Sequence, residues 1–159
     1  MILSRKLSNA LNDQIKAEMW SANLYMSMAV HFTQLGHKGC AAWMRKKQIE
    51  ELEHAYQLME FSVKNGGQVV IDVINAVPTG FGTPKEIFEH AAKHEKHLAE
   101  LVEGIIEMAN TENDPVTQDF LKSFVHGQVE EESAQSIVDK FNACGDESLD
   151  IVDHQLGKR

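Results

Sequence analysis

The chain of 159 residues is poor in the residues that interrupt helices or cross-link small domains: it has three prolines, ten glycines and two cysteines. Because proline and glycine are the poorest helix formers, their scarcity over long stretches favours a helical protein. The two cysteines, Cys40 and Cys144, exclude a disulfide framework and a cysteine-rich metal site. We expect both to be buried, reduced thiols.

Apolar runs and positive charge are also scarce. No apolar run approaches the ~18 residues of a membrane span, and the N-terminal segment turns polar too early for a signal peptide. Lys and Arg number 15 against 24 Asp and Glu, a net charge of −9. Since nucleic acids and anionic membranes both require basic patches, neither is an expected partner. We expect a cytoplasmic protein with one domain over residues 1–159, long enough to bury a core.

Apolar residues recur at three- and four-residue spacing in four long segments, which predicts four long helices followed by a short one. Gly36 and Gly66 suit the ends of the first two helices. Thr83, Pro84 and Glu86 form a helix-start signal with a capping box. The five predicted helices cover approximately residues 4–35, 38–65, 83–112, 114–144 and 147–156.

The connection between the second and third predicted helices, residues 68–82, decides the topology. Helices of about 28 residues are ~42 Å long, and about 15 extended residues reach ~50 Å, so this connection can cross the whole bundle. Its apolar stretch, Val69 to Ile74, has no partner strand in the chain, and we interpret it as an extended loop that could pair across a symmetry axis. The sequence thus predicts an all-α, up-down-down-up four-helix bundle with a long crossover loop and a short C-terminal fifth helix.

Each of the four long helices places a carboxylate on its apolar stripe near mid-helix. Four converging buried carboxylates would carry about −4, at a desolvation cost of several kcal/mol per ion. The stripes contain almost no Lys or Arg to offset this charge. Two divalent metal ions would offset it. This favours a metal centre over a structural polar core. The four carboxylates belong to Glu18, Glu51, Glu95 and Glu131.

The ligand types narrow the choice of metal. Glu51 and His54 form a Glu-x-x-His motif, whose spacing directs both groups to one point on the helix face. Oxygen-rich donors with one imidazole suit iron, manganese or zinc better than thiolate-bound metals. The motif alone is weak evidence, but facing carboxylates strengthen it, as in ferritin-like di-iron proteins.

Several segments carry a more specific similarity. The chain resembles the bacterial non-haem ferritins over essentially its whole length, which implies a single ferritin-like domain. The matching segments are QIKAEMWSANLY at residues 14–25, QIEELEHA at 48–55, KHE at 93–95, NDP at 113–115 and QVEEES at 128–133.

The resemblance implies a di-iron ferroxidase centre. The first iron would be held by Glu18, Glu51 and His54. The second would be held by Glu95, Glu131 and bridging Glu51, with Gln128 alongside.

Further residues match the surroundings of the family's di-iron centre. Tyr25 matches a tyrosine that supplies or relays an electron. Glu50 and Glu130 match a third, looser iron site shared with Glu131. Gly127 departs from the family, where a further glutamate is often found, and leaves open whether the third site exists.

Two departures separate the chain from haem-binding relatives. Leu52 stands where bacterioferritins carry a haem-ligating methionine, and Ala134 interrupts the second Glu-x-x-His that they have on the fourth helix. No haem is expected. The Cys-x-x-Cys module of rubrerythrins is also missing from the sequence.

The resemblance implies an iron-storage ferritin that oxidises Fe²⁺ with O₂ or H₂O₂ and stores ferric oxyhydroxide inside a homo-oligomeric shell of 24 subunits. Two other functions stay open: a di-iron or di-manganese peroxidase or catalase that stores no metal, and a helical binding module with a polar core.

Other clusters of polar residues have simpler interpretations. The third predicted helix carries three histidines on one face, which we interpret as solvated, with zinc or iron binding as the alternative. Two glutamates of the second helix could collect ferric ions in a cavity, and one aspartate could border a pore by analogy with the family. These residues are His90, His94 and His97, then Glu53 and Glu60, then Asp119.

Overall fold

The computed structural model describes residues 2–126, 133–145 and 148–158, without the side chains of His126 and Ser148. These parts of the chain contain six α-helices and no strand. None of the described helices is long and apolar enough to cross a membrane. The helices are α1 (Arg5–Gln34), α2 (Lys38–Lys64), α3 (Pro84–Thr111), α4 (Pro115–His126), α5 (Ala134–Cys144) and α6 (Ser148–Gly157).

The helix starts follow from side-chain capping. The Ser4 hydroxyl accepts a hydrogen bond from the Leu7 backbone N–H (3.1 Å) at the start of α1. At the start of α3, Thr83 and Glu86 each accept from the other's backbone N–H, at 3.2 and 3.3 Å. The predicted capping box is therefore confirmed. It satisfies two backbone N–H groups that the first helical turn leaves without intrahelical partners.

The crossover loop runs beside α1, in the same direction. Near its beginning the Gln68 carbonyl accepts a hydrogen bond from Asn12 Nδ2 (2.8 Å), and near its end the Pro78 carbonyl accepts from Ser27 Oγ (2.8 Å). The loop thus returns the chain to the end of the bundle where α1 finishes. The third helix consequently runs parallel to α2, and the up-down-down-up topology and the extended loop are confirmed.

The last part of the bundle differs from the single fourth helix that the sequence predicts. Two helices, α4 and α5, are described there. Ser133 has extended backbone angles (φ −75°, ψ 161°), and its hydroxyl accepts a hydrogen bond from the Ser136 N–H (3.1 Å). Serine side chains compete in this way with helical backbone hydrogen bonds, so α5 begins at its own N-cap.

The short C-terminal helix α6 packs on the start of α2 through an unusually close backbone approach. A Cβ atom at Gly39 would lie 1.8 Å from the Asp153 carbonyl oxygen. The Cys40 backbone N–H donates to Asp153 Oδ1 (2.9 Å), and burial, followed by the Asp153 charge, raises the pKa of the Cys40 thiol. Both cysteines are free thiols, but Cys144 is exposed. The expectation that it is buried was wrong, because it lies in the last turn of α5, facing water.

Apolar side chains form two separate clusters along the bundle. The lower cluster lies around the first half of α1 and includes Leu7, Leu11 and Ile15. The upper cluster lies around the second half of α1 and includes Leu24 and Phe32. The gap between the two clusters falls at the predicted level of the carboxylates.

Candidate metal centre

A polar layer occupies the gap between the two apolar clusters. On α1, Glu18 lies between Ile15 of the lower cluster and Leu24 of the upper one. On the antiparallel α2, Glu51 lies one turn before Ala55 of the lower cluster. The 3.6-residue period of each helix turns these carboxylates inward along with their apolar neighbours. Both are buried, with exposed fractions of 1% for Glu18 and 3% for Glu51.

Three side chains converge within this layer. Glu18, Glu51 and His54 each offer one ligand atom, and these atoms all lie within 4.8 Å of one another. Among the described residues this is the one group of three or more His, Cys, Asp or Glu side chains that could hold a metal ion. His54 Nδ1 lies 3.3 Å from Glu51 Oε2. The predicted first-iron ligands are thus brought together.

The Glu18 carboxyl group has one oxygen atom without a partner. Its Oε1 accepts a hydrogen bond from Gln14 Nε2 (3.2 Å), whereas its buried Oε2 has no hydrogen-bond partner among the described residues. Burial, followed by the neighbouring Glu51, raises the pKa of Glu18 to about 10. A buried carboxyl oxygen without a hydrogen bond costs free energy that a bound cation would recover.

The pKa of Glu51 moves in the opposite direction. Burial acts to raise it, but hydrogen bonds from His54 and Glu18, together with the charges of His54 and Lys47, outweigh burial and lower the pKa of Glu51. The opposite directions favour the neutral form of Glu18 and the ionised form of Glu51. This is the expected behaviour of two acids that share a desolvated site. A metal ion would take the place of the proton.

Glu95 does not join this cluster and instead contacts a buried cation. The Lys47 ammonium lies 2.9 Å from Glu95 Oε1 and 3.5 Å from Glu50 Oε2. The Tyr25 hydroxyl donates a hydrogen bond to Glu95 Oε1 (3.2 Å). The electron-relay residue and a second-iron ligand predicted from the resemblance are therefore in contact with each other.

Lys47 is the site residue that the sequence reasoning missed. The stripes were expected to contain almost no Lys or Arg, and Lys47, which is only 5% exposed, is an exception. A signal was present: Lys47 follows Met44 by three residues and precedes Glu51 by four, which is the spacing of the buried stripe. Lysine is almost never fully buried unless it is paired, so this spacing alone does not predict burial at position 47.

The three histidines on α3 do not share one environment. His90 and His97 are exposed, as the solvated interpretation predicts, but His94 is partly buried. The Ser21 hydroxyl donates to the Ala17 carbonyl (2.7 Å) and therefore accepts from His94 Nε2 (2.6 Å). Burial lowers the pKa of His94 to about 4, so it is neutral at pH 7.

Comparisons with known proteins agree with this geometry. Residues 8–143 match the family Ferritin, described as a ferritin-like domain. The chain is 50% identical to a bacterial non-heme ferritin of Bacteroides fragilis over 159 residues, covering 99% of this chain and all of that protein. The chain belongs to the ferritin family. It is also 31% identical to a probable bacterial non-heme ferritin-like protein of Haemophilus influenzae, covering 98% of this chain and 96% of that protein.

A ferritin structure shows the same fold. The open pore ferritin of the archaeon Archaeoglobus fulgidus superposes with a TM-score of 0.94 at 39% identity, covering 99% of this chain and 98% of that one. The similarity extends over the whole ferritin-like bundle, including the crossover loop and the C-terminal helix.

The remaining predicted ferritin residues fall into two groups. Glu53, Glu60 and Asp119 are exposed on their helices, and within the described part of the chain none of them belongs to a metal-binding cluster. Gly127, Gln128, Glu130 and Glu131 lie outside the described residues, so the fourth-helix side of the centre stays a prediction.

Proposed function

We propose that this ferritin is a cytoplasmic iron-storage protein with ferroxidase activity. It oxidises Fe²⁺ with O₂ or H₂O₂ at the polar layer and stores ferric oxyhydroxide inside a homo-oligomeric shell of 24 subunits, without haem. Membership of the ferritin family supports iron storage. The observation that carries the ferroxidase assignment is the convergence of Glu18, Glu51 and His54 inside an apolar bundle.

The chemistry of the donors suits ferrous iron as a substrate. Two carboxylates and one imidazole are ligands that Fe²⁺ binds readily, and their negative charge stabilises Fe³⁺ more than Fe²⁺. This difference lowers the reduction potential and favours oxidation. Two ferrous ions each give up one electron, which together reduce O₂ to peroxide or H₂O₂ to water. The proton on Glu18 leaves as the cation enters.

The second iron would share Glu51 with the first and would use carboxylates from outside the cluster of Glu18, Glu51 and His54. We propose Glu95, Glu131 and bridging Glu51 as its ligands, with Gln128 alongside and Tyr25 as the electron donor. Two carboxylate-bridged metals typically lie ~3.5–4 Å apart. Glu50 and Glu130 would hold a third ion more loosely, with Gly127 leaving that site short of a ligand.

Aerobic iron loading followed by size-exclusion chromatography and metal analysis tests this proposal. We expect a high-mass shell that retains tens of iron atoms or more per subunit. About two iron atoms per subunit would instead favour a peroxidase or catalase that turns over without storage. A monomer or dimer would contradict storage, and a protein without stoichiometric metal would favour a binding module with a polar core.

A further inference from the structure

The Lys47 ammonium is enclosed by acidic and aromatic groups at the centre of the bundle. It lies 2.9 Å from Glu95 Oε1 and 3.5 Å from Glu50 Oε2. It also lies 5.8 Å from the ring centroid of Tyr25 and 5.9 Å from that of Trp43, distances at which aromatic faces attract cations. The carboxylates and aromatic rings thus stabilise the buried ammonium in place of the water that would otherwise hydrate it.

This placement matters because both carboxylates are proposed iron ligands. Glu95 belongs to the proposed second iron and Glu50 to the third. Glu18, Glu51 and His54, by contrast, form a cluster in which one carboxylate oxygen of Glu18 has no hydrogen-bond partner. The ammonium thus contacts Glu95 and Glu50 directly, and its charge also favours the ionised forms of Glu18 and Glu51. The cluster keeps a carboxyl oxygen available for a metal ion, whereas Glu95 is already paired with a cation from the protein itself.

We propose that Lys47 is an internal counter-ion that occupies the second-iron side of the ferroxidase centre and orders metal binding. The first ion enters at Glu18, Glu51 and His54, whereas a second ion at Glu95 must displace the ammonium. This inference rests on the proposed function. Lys47 is a positioning residue, since it acts on the metals through the carboxylates that it holds.

The physical reason is competition for the same oxygen atoms. A metal ion on Glu95 needs the carboxylate electron density that the ammonium already uses at 2.9 Å. If the ammonium stays nearby, it also repels the incoming dication, because like charges interact strongly where water is excluded. Binding of the second ion is therefore weakened relative to the first. The ammonium also holds Glu95 in place while the site is empty.

Anaerobic titration of the full-length protein with Co²⁺, followed by calorimetry and visible absorption, tests this ordering. Wild type should bind one ion tightly and a second more weakly. Lys47→Gln should tighten the second ion at least tenfold and leave the first within about threefold. Lys47→Arg, which keeps the charge, should bind like wild type. Lys46→Gln removes the same charge from an exposed neighbour and is the matched control.

A second variant and a second readout guard against misfolding. Lys47→Met replaces lysine with an uncharged, unbranched side chain of similar length. This variant should also bind the second Co²⁺ ion more tightly than wild type. Because loss of the ammonium leaves Glu95 uncompensated, Co²⁺ should raise the Tm of both neutral variants more than that of wild type. If the Kd of the second Co²⁺ ion were unchanged in the neutral variants, the role inferred for Lys47 would be overturned and the proposed function would stand. Absence of stoichiometric Co²⁺ from wild type would overturn the proposed function together with it.

Discussion

The two sides of the polar layer neutralise their carboxylates in different ways. The cluster of Glu18, Glu51 and His54 holds a proton and an imidazole, both of which an incoming cation can replace or use. The opposite side gives Glu95 a fixed ammonium from Lys47. The same acidic residue type is thus prepared for metal on one side and satisfied internally on the other. Equal numbers of carboxylates do not make equal metal sites.

The largest effect is expected from breaking the cluster side with His54→Ala. The substitution removes the cluster's single imidazole, so the initial rate of Fe²⁺ oxidation in stopped-flow absorbance should fall by ~10–100-fold or more. Even residues that only orient a metal ligand are worth that much. His90→Ala, an exposed position on α3, is the control and should match wild type. Equal initial rates for the two variants would remove His54 from the centre.

A smaller effect is expected from the proton held on Glu18. The folded protein keeps this proton up to a pKa of about 10, whereas the unfolded chain releases it near 4.5. Between these values the folded state binds more protons, so its stability falls as pH rises. Glu18→Gln removes this loss, and the metal-free variant should unfold with a free energy higher by on the order of 1–3 kcal/mol at pH 8.

The advantage of Glu18→Gln should shrink towards pH 4.5, where Glu18 is protonated in both states of wild type. Thermal unfolding in the presence of a chelator, measured from pH 5 to pH 9, checks this trend. Glu53→Gln, the same change at an exposed position of α2, should follow wild type across the range. An advantage that did not depend on pH would place the effect in packing rather than in the proton.

The smallest effect is expected on the lysine side, from Tyr25→Phe. The variant loses the hydroxyl that donates to Glu95 at 3.2 Å, but Lys47 still neutralises that carboxylate. Stability should therefore fall by only about 1 kcal/mol, and initial Fe²⁺ oxidation by about fivefold. Tyr56→Phe changes the chain's other tyrosine, which is 63% exposed, and should alter neither quantity. A loss as large as that of His54→Ala would contradict the difference between the two sides.

Sequence patterns predicted the helices and their buried faces because these features depend on local sequence signals. The Thr83 capping box, the glycine at position 36 and the spacing of apolar residues each depend on neighbours within a few positions. The length of the crossover loop then fixed the topology, since only an extended connection spans the bundle. The same periodicity placed Glu18 and Glu51 on the buried stripes, whereas the grouping of Glu18, Glu51 and His54 around one ion came from the resemblance to the bacterial non-haem ferritins.

The rest depended on contacts that cross between helices. Lys47 lies on the buried stripe of α2, but its burial depends on Glu95 of α3 and Tyr25 of α1. His94 likewise leaves the solvated face of α3 because Ser21 of α1 accepts its N–H. Periodicity reports which face of a helix turns inward, and it carries no information on which side chain will meet it there.

Gly39 has a consequence for the far end of the chain. Because Gly39 has no side chain, the Asp153 carbonyl approaches its backbone closely. A single methyl group at this position would clash with that carbonyl and push α2 and α6 apart. Separation of α6 from α2 would expose the side chains of Val152 and Leu156 to water. Their exposed fractions in the folded protein are 2% and 4%. The absence of a side chain at Gly39 is therefore what allows the C-terminal helix to pack against the bundle.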